Sequence, residues 1–259
     1  MARSRAAPNL PNLPNLPDTA RHLSAMNPPP SRSEDPGAED LALKGRAPDG
    51  ERPHKAYHHG DLRAALLDAA QTELGEHGIE GFSLRGVAKR AAVSHAAPAH
   101  HFRDATGLLT ALAARGYERF LARQQDFQRE AAAEPRAQLE ALGVGYVNFA
   151  LENPALFRLM FGSDRTNYDD PELRRHAEAA FFALVNGVVK VTTPASLQDS
   201  APPPAALLQA AGSADVAAAW ALAHGLADLM VAGRLPWLTQ TPAAQRNRAI
   251  AALLTRSLP

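Results

Sequence analysis

The chain has 259 residues, 46% hydrophobic and only 6% aromatic, which is enough for one sizeable core or two modest ones and, with Ala and Leu dominating the apolar fraction, favours helices. Lys plus Arg and Asp plus Glu balance at 27 each, which excludes a global basic field but leaves room for a local DNA-binding face. Cysteine is absent, so disulfides and thiolate metal sites are excluded, and a reducing cytoplasm suits the composition.

Prolines interrupt any apolar run at the amino end, so no secretory signal is expected there. Residues 1–55 hold ten of the 21 prolines, with a Pro-Asn-Leu repeat and a Pro-Pro-Pro run; the expectation is a disordered tail. Order is expected to begin near "YHHGDLRAALLDAAQTELGEHG", where Leu62, Leu66, Ala70 and Leu74 recur on one helix face and Gly75 and Gly78 mark its end. Ser83 is the predicted N-cap of a short helix "LRGVAKRAA", although Gly86 stands at the third helical position, where a capping box carries Glu or Gln. Ser94 is the predicted N-cap of a second short helix running through His101 and Phe102, with Phe102 as a core plug against Leu66, Val87 and Leu108. Two short helices joined by "AAVS" behind a longer support form a helix-turn-helix pattern.

A long amphipathic helix is predicted from Thr106, and Pro135 ends or restarts it. Further helices are predicted at Arg136–Leu151, Pro154–Phe161 and Pro171–Val191, with Pro154 and Pro171 placed as first-turn prolines. Residues 192–213 read as a mobile linker, and two helices close the chain at Asp215–Ala232 and Ala243–Arg256. The apolar stretch "DVAAAWALAHGLADLMVAG" carries Asp215, His224 and Asp228, which are costly in a bilayer, and reads as a buried helix rather than a membrane span.

Seven of the ten histidines fall between His54 and His101, which invites a metal site at His95, His100 and His101. Adjacent His100 and His101 point about 100° apart on a helix and no carboxylate is spaced to complete the set, so no metal and no cofactor are expected. The carboxy-terminal half shows no nucleophile–base or paired-carboxylate spacing, so an enzyme is not expected either.

The stretch from "GDLRAALL" through "FSLRGVAKRAAVSHAAPAHHFRDATGLLTAL" resembles the DNA-binding domain of the TetR/AcrR family of transcriptional regulators, and "AWALAHG" resembles the Trp-His-Gly signature of one class of its carboxy-terminal domains. The resemblance implies an all-α fold: a helix-turn-helix head at 56–105 and a helical ligand-binding and dimerisation domain at 106–259. It implies that Ser83 and His101 touch phosphates and that the first residues of the third helix read bases. The alanines of "SHAAPAHH" then make sense, because small side chains allow close approach in the major groove and a His can donate to guanine. The expected DNA-contacting set is Ser83, Ser94, His95, Ala96, Ala97, His100, His101 and Arg103. Ala99 and Ala105 depart from the family, which often has Tyr and usually Lys there; Arg103 or the "RPHKAYHH" arm could compensate.

The resemblance further implies a small-molecule effector and a homodimer formed by the last two helices. Tyr146, Phe149, Phe157, Met160, Phe181, Phe182 and His224 are candidate effector contacts, each with core packing as the competing role. Ala218, Ala221 and Gly225 form a small-residue stripe suited to close helix approach at a dimer face or within one chain. The leading function is a ligand-responsive repressor of operator DNA; the alternative is a helical small-molecule carrier or interaction protein with a weakened DNA head.

Overall fold

The computed structural model describes residues 59–193, 210 and 213–256. The expected disordered tail lies outside the described residues, as do all of the basic arm but His59 and nearly all of the expected linker. Among the described residues the fold is all helix, with no strand.

Helix α1 (His59–His77) buries Leu66, Ala70 and Leu74 completely, at the i, i+4 spacing that puts them on one face. It ends where Gly78 adopts a φ of +68°, a conformation glycine reaches without steric cost, and donates to the Leu74 carbonyl at 2.9 Å. Helix α2 (Leu84–Arg90) starts as expected: Ser83 Oγ accepts from the Gly86 N–H at 3.0 Å.

Helix α3 differs from expectation. It spans Ala97–Phe102, its N-cap is Ala96, and Ser94 does not cap it. An α-helix beginning after Ser94 would need a donor four residues on, and that residue is Pro98, which has no N–H. The Ser94 carbonyl is taken instead by the Ala97 N–H at 3.0 Å, closing a turn, and the helix begins past it.

Helix α4 (Ala105–Glu130) is capped by Asp104, whose Oδ1 accepts from Gly107 N at 2.8 Å. A Cβ on Gly107 would lie 2.0 Å from the Phe102 carbonyl oxygen, so the tight α3–α4 corner requires glycine. Phe102 is buried in one cluster with Leu66, Val87 and Leu108, as its core-plug role requires.

Helices α5 (Pro135–Glu152), α6 (Pro154–Gly162) and α7 (Pro171–Thr192) each open on proline, whose missing N–H is harmless in a first turn. Every residue of α5 from Ala141 to Ala150 is buried, as a helix surrounded by α4, α6, α7 and later helices must be. Helix α8 (Ala214–Val231), capped by Ser213, ends in a Schellman motif: Gly233 (φ +69°) donates to Met230 O and Arg234 to Leu229 O. By length and composition alone α8 could cross a membrane, but here it packs on α5 and α7 with Val216, Ala219, Ala223, Leu226, Ala227 and Met230 turned inward. A four-residue helix α9 (Pro236–Thr239), which the sequence did not reveal, precedes α10 (Ala243–Thr255).

The first three helices are tied to the rest by specific polar contacts. Arg165 Nη1 donates to the Ile79 carbonyl at 2.9 Å and Arg63 pairs with Glu172 at 3.3 Å, while Asn167 N, in the same loop as Arg165, ties that loop to α4 by donating to Thr110 Oγ1 at 2.9 Å. Arg115 pairs with Asp68 at 2.6 Å, across α4 and α1.

Candidate nucleic-acid interface and effector site

Helix α3 is anchored by two buried residues and exposes Ala99 and His100. Pro98 and Phe102 are buried, Ala97 and His101 are half-buried, and Ser94, His95, Ala96, Ala99, His100 and Arg103 are exposed. The short segment thus presents small and imidazole side chains to solvent, with the His101 ring 6.3 Å from that of Phe102. The segments flanking it are conformationally strained: Ala92 has a φ of +54° and Arg103 a φ of +70°, values non-glycine residues rarely adopt. Among the described residues no group of three or more His, Cys, Asp or Glu could hold a metal ion.

Ser83 is exposed, yet its hydroxyl is engaged within the chain: it accepts from Gly86 N and donates to Glu73 Oε1 at 3.2 Å. A phosphate at this end of α2 would therefore meet backbone N–H groups in preference to the hydroxyl. Sequence reasoning passed over Arg85 and Lys89, which are exposed one turn apart on α2 and make no ion pair among the described residues. Their i, i+4 spacing, on the face of α2 opposite the buried Val87, was the available signal.

The effector candidates separate into two groups. Tyr146, Phe149, Phe157, Met160 and His224 lie in or against the main core, and the rings of Tyr146, Phe157 and His224 join those of Phe120 and Phe161, which the sequence did not single out. Phe181 and Phe182 stand apart, packed on a second cluster of Leu139, Val185, Val188, Val189, Val216 and Ala219, with Phe181 6.2 Å from Trp220. Phe149 and Met160 are almost wholly buried, consistent with core packing.

The polar centre of the first group is the Tyr146 hydroxyl, 2.7 Å from His224 Nδ1. Burial pushes the Tyr146 phenol far above its ordinary value, against the opposing hydrogen bond of Trp220, so it keeps its proton. Burial also lowers His224, against the pull of the Asp228 charge one turn on, which favours the neutral ring. The phenol and the imidazole thus meet across this hydrogen bond in their uncharged forms. A second pair of phenols converges on α6: Tyr117 Oη donates to the Met160 carbonyl at 3.2 Å, and Tyr168 donates to the same oxygen.

On α8, Ala218 and Ala221 are exposed and Gly225 is half-buried, and a Cβ built on Gly225 would meet nothing within 4 Å. Gly225 therefore faces open space, and the two alanines are exposed to solvent. The exposed large apolar residues among those described, Leu229 (45%), Trp237 (71%) and Leu253 (39%), lie on α8, α9 and α10.

Residues 66–112 match the model of the tetR family of bacterial regulatory proteins, and residues 139–253 match that of the tetracyclin repressor-like C-terminal domain. The chain belongs to the TetR family of transcriptional regulators. An HTH-type transcriptional regulator BetI from Burkholderia thailandensis is 28% identical over 184 residues, covering 66% of this chain and 94% of its own. A solved structure from Rhodococcus sp. RHA1, described as a protein of unknown function, is 33% identical with a TM-score of 0.59, covering 79% of this chain and 99% of its own. A second Rhodococcus structure, of a tetR-family transcriptional regulator, shares the fold at 19% identity with a TM-score of 0.53 over 77% of this chain and 100% of its own. As a member of this family the chain is a ligand-responsive, DNA-binding transcriptional regulator.

Proposed function

We propose that the chain acts in the cytoplasm as a homodimeric repressor of operator DNA, with residues 56–105 as its DNA-binding domain and 106–259 as its effector-binding and dimerisation domain. The observation that carries this reading is the exposure of α3 and the turn before it: with Pro98 and Phe102 buried, His95 and Ala96 of the turn and Ala99 and His100 of the helix are exposed, as are Arg85 and Lys89 of α2, which make no ion pair among the described residues. His95 and His100 are the base-reading candidates; Ser94, Ala96 and Ala97 allow close approach, and Ser83, His101, Arg103, Arg85 and Lys89 serve the phosphates. Arg85 and Lys89 offset the absence of Tyr and Lys at Ala99 and Ala105.

A small molecule bound against Tyr146, Phe157 and His224 would displace the ring of Phe161 and the neighbouring Met160 carbonyl. That carbonyl is held by Tyr117 of α4 and by Tyr168, whose loop also carries Arg165 and Asn167. Displacement there reaches the α1–α2 connection at Ile79 and the start of α4 at Thr110, and so alters the presentation of α3. Ala218, Ala221 and Gly225 of α8, with Leu229 and Leu253, form the dimer face.

The reading is tested with point variants on operator and scrambled duplexes across a salt series. His95→Ala or His100→Ala should change the base preferred at one operator position at a cost of about 1–3 kcal/mol. Ala105→Lys should strengthen binding to every duplex and steepen the slope of log K against log salt by about 0.9. If Ala105→Lys leaves the slope unchanged and the histidine variants bind both duplexes like the parent, the carrier with a weakened head is the better account.

A further inference from the structure

Helix α2 is seven residues long, too short to hold itself, and lacks an acidic residue in its first turn. The missing carboxylate is supplied from elsewhere. Glu73 of α1 is only 4% exposed, and its Oε1 would lie 1.9 Å from a Cβ at Gly86, so the carboxylate occupies the space a side chain at position 86 would need. Oε1 accepts from the Ser83 hydroxyl at 3.2 Å, at the start of α2, and Oε2 accepts from Arg90 Nε at 2.7 Å, from its last residue. Arg90 also donates to Glu76, through Nη1 at 3.1 Å and through Nη2, and His77 Nδ1 lies 3.5 Å from Glu73 Oε2. A buried carboxylate is tolerated because these partners satisfy it.

We infer that Glu73 is a positioning residue for DNA recognition: lodged where Gly86 leaves room, it receives both ends of α2 on one carboxylate and so fixes the helix on which α3 is seated. Burial works against the charged form, but the Arg90 and Ser83 hydrogen bonds and the charges of His77 and Arg90 outweigh it, leaving the carboxyl below its ordinary range. The inference rests on the reading of α3 as the DNA-reading helix.

The test moves the carboxylate. Gly86→Glu alone collides with Glu73, and Glu73→Ala alone removes the acceptor of the Ser83 hydroxyl and one of the two carboxylate partners of Arg90. In the double variant the carboxylate introduced at position 86 can close an ordinary capping box with Ser83 and face Arg90 at i, i+4. Each single variant should melt lower and lose operator affinity about tenfold or more, and the double should return most of both, a coupling that separate sites do not show. Glu73→Gln, of the same shape, should weaken operator binding about tenfold while scrambled DNA binds at least as well as before, because removing a negative charge favours DNA everywhere. Failure of the double variant to recover melting temperature overturns the inference, as does a Glu73→Gln protein that binds operator like the parent. Recovery of melting without recovery of operator binding reduces Glu73 to a stability role and equally overturns it. A parent that prefers no duplex would instead sink the DNA reading and the positioning role with it, while the melting cycle would still report whether Glu73 braces α2.

Discussion

Arg103 carries a φ of +70° and a ψ of −60°, and the Asp104 N–H reaches back to the Phe102 carbonyl at 2.9 Å, so this residue centres a γ-turn of the rare positive-φ kind. Such a conformation costs about 1–3 kcal/mol for a residue with a Cβ. Arg103→Gly should relieve it and stabilise the chain by about 1 kcal/mol once the extra freedom of glycine in the unfolded state is counted. The same change should weaken binding to operator and scrambled DNA alike and flatten the salt slope by about 0.9 if Arg103 meets a phosphate. A rise in melting temperature without loss of DNA affinity would leave the strain argument standing and remove Arg103 from the interface. Glu73 gives a prediction in pH. Its folded pKa is below the unfolded value, so its contribution is complete above the unfolded carboxylate pKa and is lost as pH falls through the folded one. Acid should therefore destabilise the parent more steeply than Glu73→Gln, and parallel urea-midpoint curves against pH would contradict this. Single residues also mark where sequence reasoning ran out. The lack of an acid at Gly86 was visible, but not that Glu73, on a different helix, fills the gap. Ser94 had the chemistry of a cap, and the missing N–H of Pro98 moved the helix start past it.

Among the elements, the crossings of α4 set the geometry of the body. At Gly145 an added Cβ would lie 2.7 Å from Gln124 Cα, whereas at Gly116 it would meet the Met160 sulfur at 2.7 Å. A thioether can swing aside and a backbone cannot, so Gly145→Ala should cost about 1–3 kcal/mol by forcing α4 and α5 apart, and Gly116→Ala distinctly less. Urea denaturation of the two variants checks the order, and a reversal would contradict the close-approach account. The long helices were legible because apolar residues recur at 3.6-residue spacing and prolines stand at first turns. The four residues of α9 show no period to read, and its Trp237 lies outside the core. The division of the aromatic candidates was not legible either. Phe181 and Phe182 have the same aromatic character as Tyr146 and Phe157, and only the packing of α7 against α5 and α8 places them in the second cluster.

At the scale of the molecule, DNA binding, effector binding and dimerisation must be linked by reciprocal free energies: whatever factor an effector takes from operator affinity, operator must take from effector affinity. Two heads reading one duplex require a self-complementary face that pairs about a two-fold axis, and the proposed face is that of α8 and α10. Ala221→Glu puts a charge in the middle of the exposed small-residue stripe and should yield a folded protein that sediments as a monomer at micromolar concentration and loses operator binding. A parent already monomeric there would contradict the dimer. The most direct test of the central claim, that this chain reads DNA as a symmetric pair of helix-turn-helix heads, is selection of bound duplexes from a random pool by the full chain. The account predicts a near-palindromic sequence whose half-sites lie one helical turn, or a small multiple of it, apart, bound by two protomers. Recovery of duplexes with no common sequence, or of a single unrepeated half-site bound by one protomer, would contradict it.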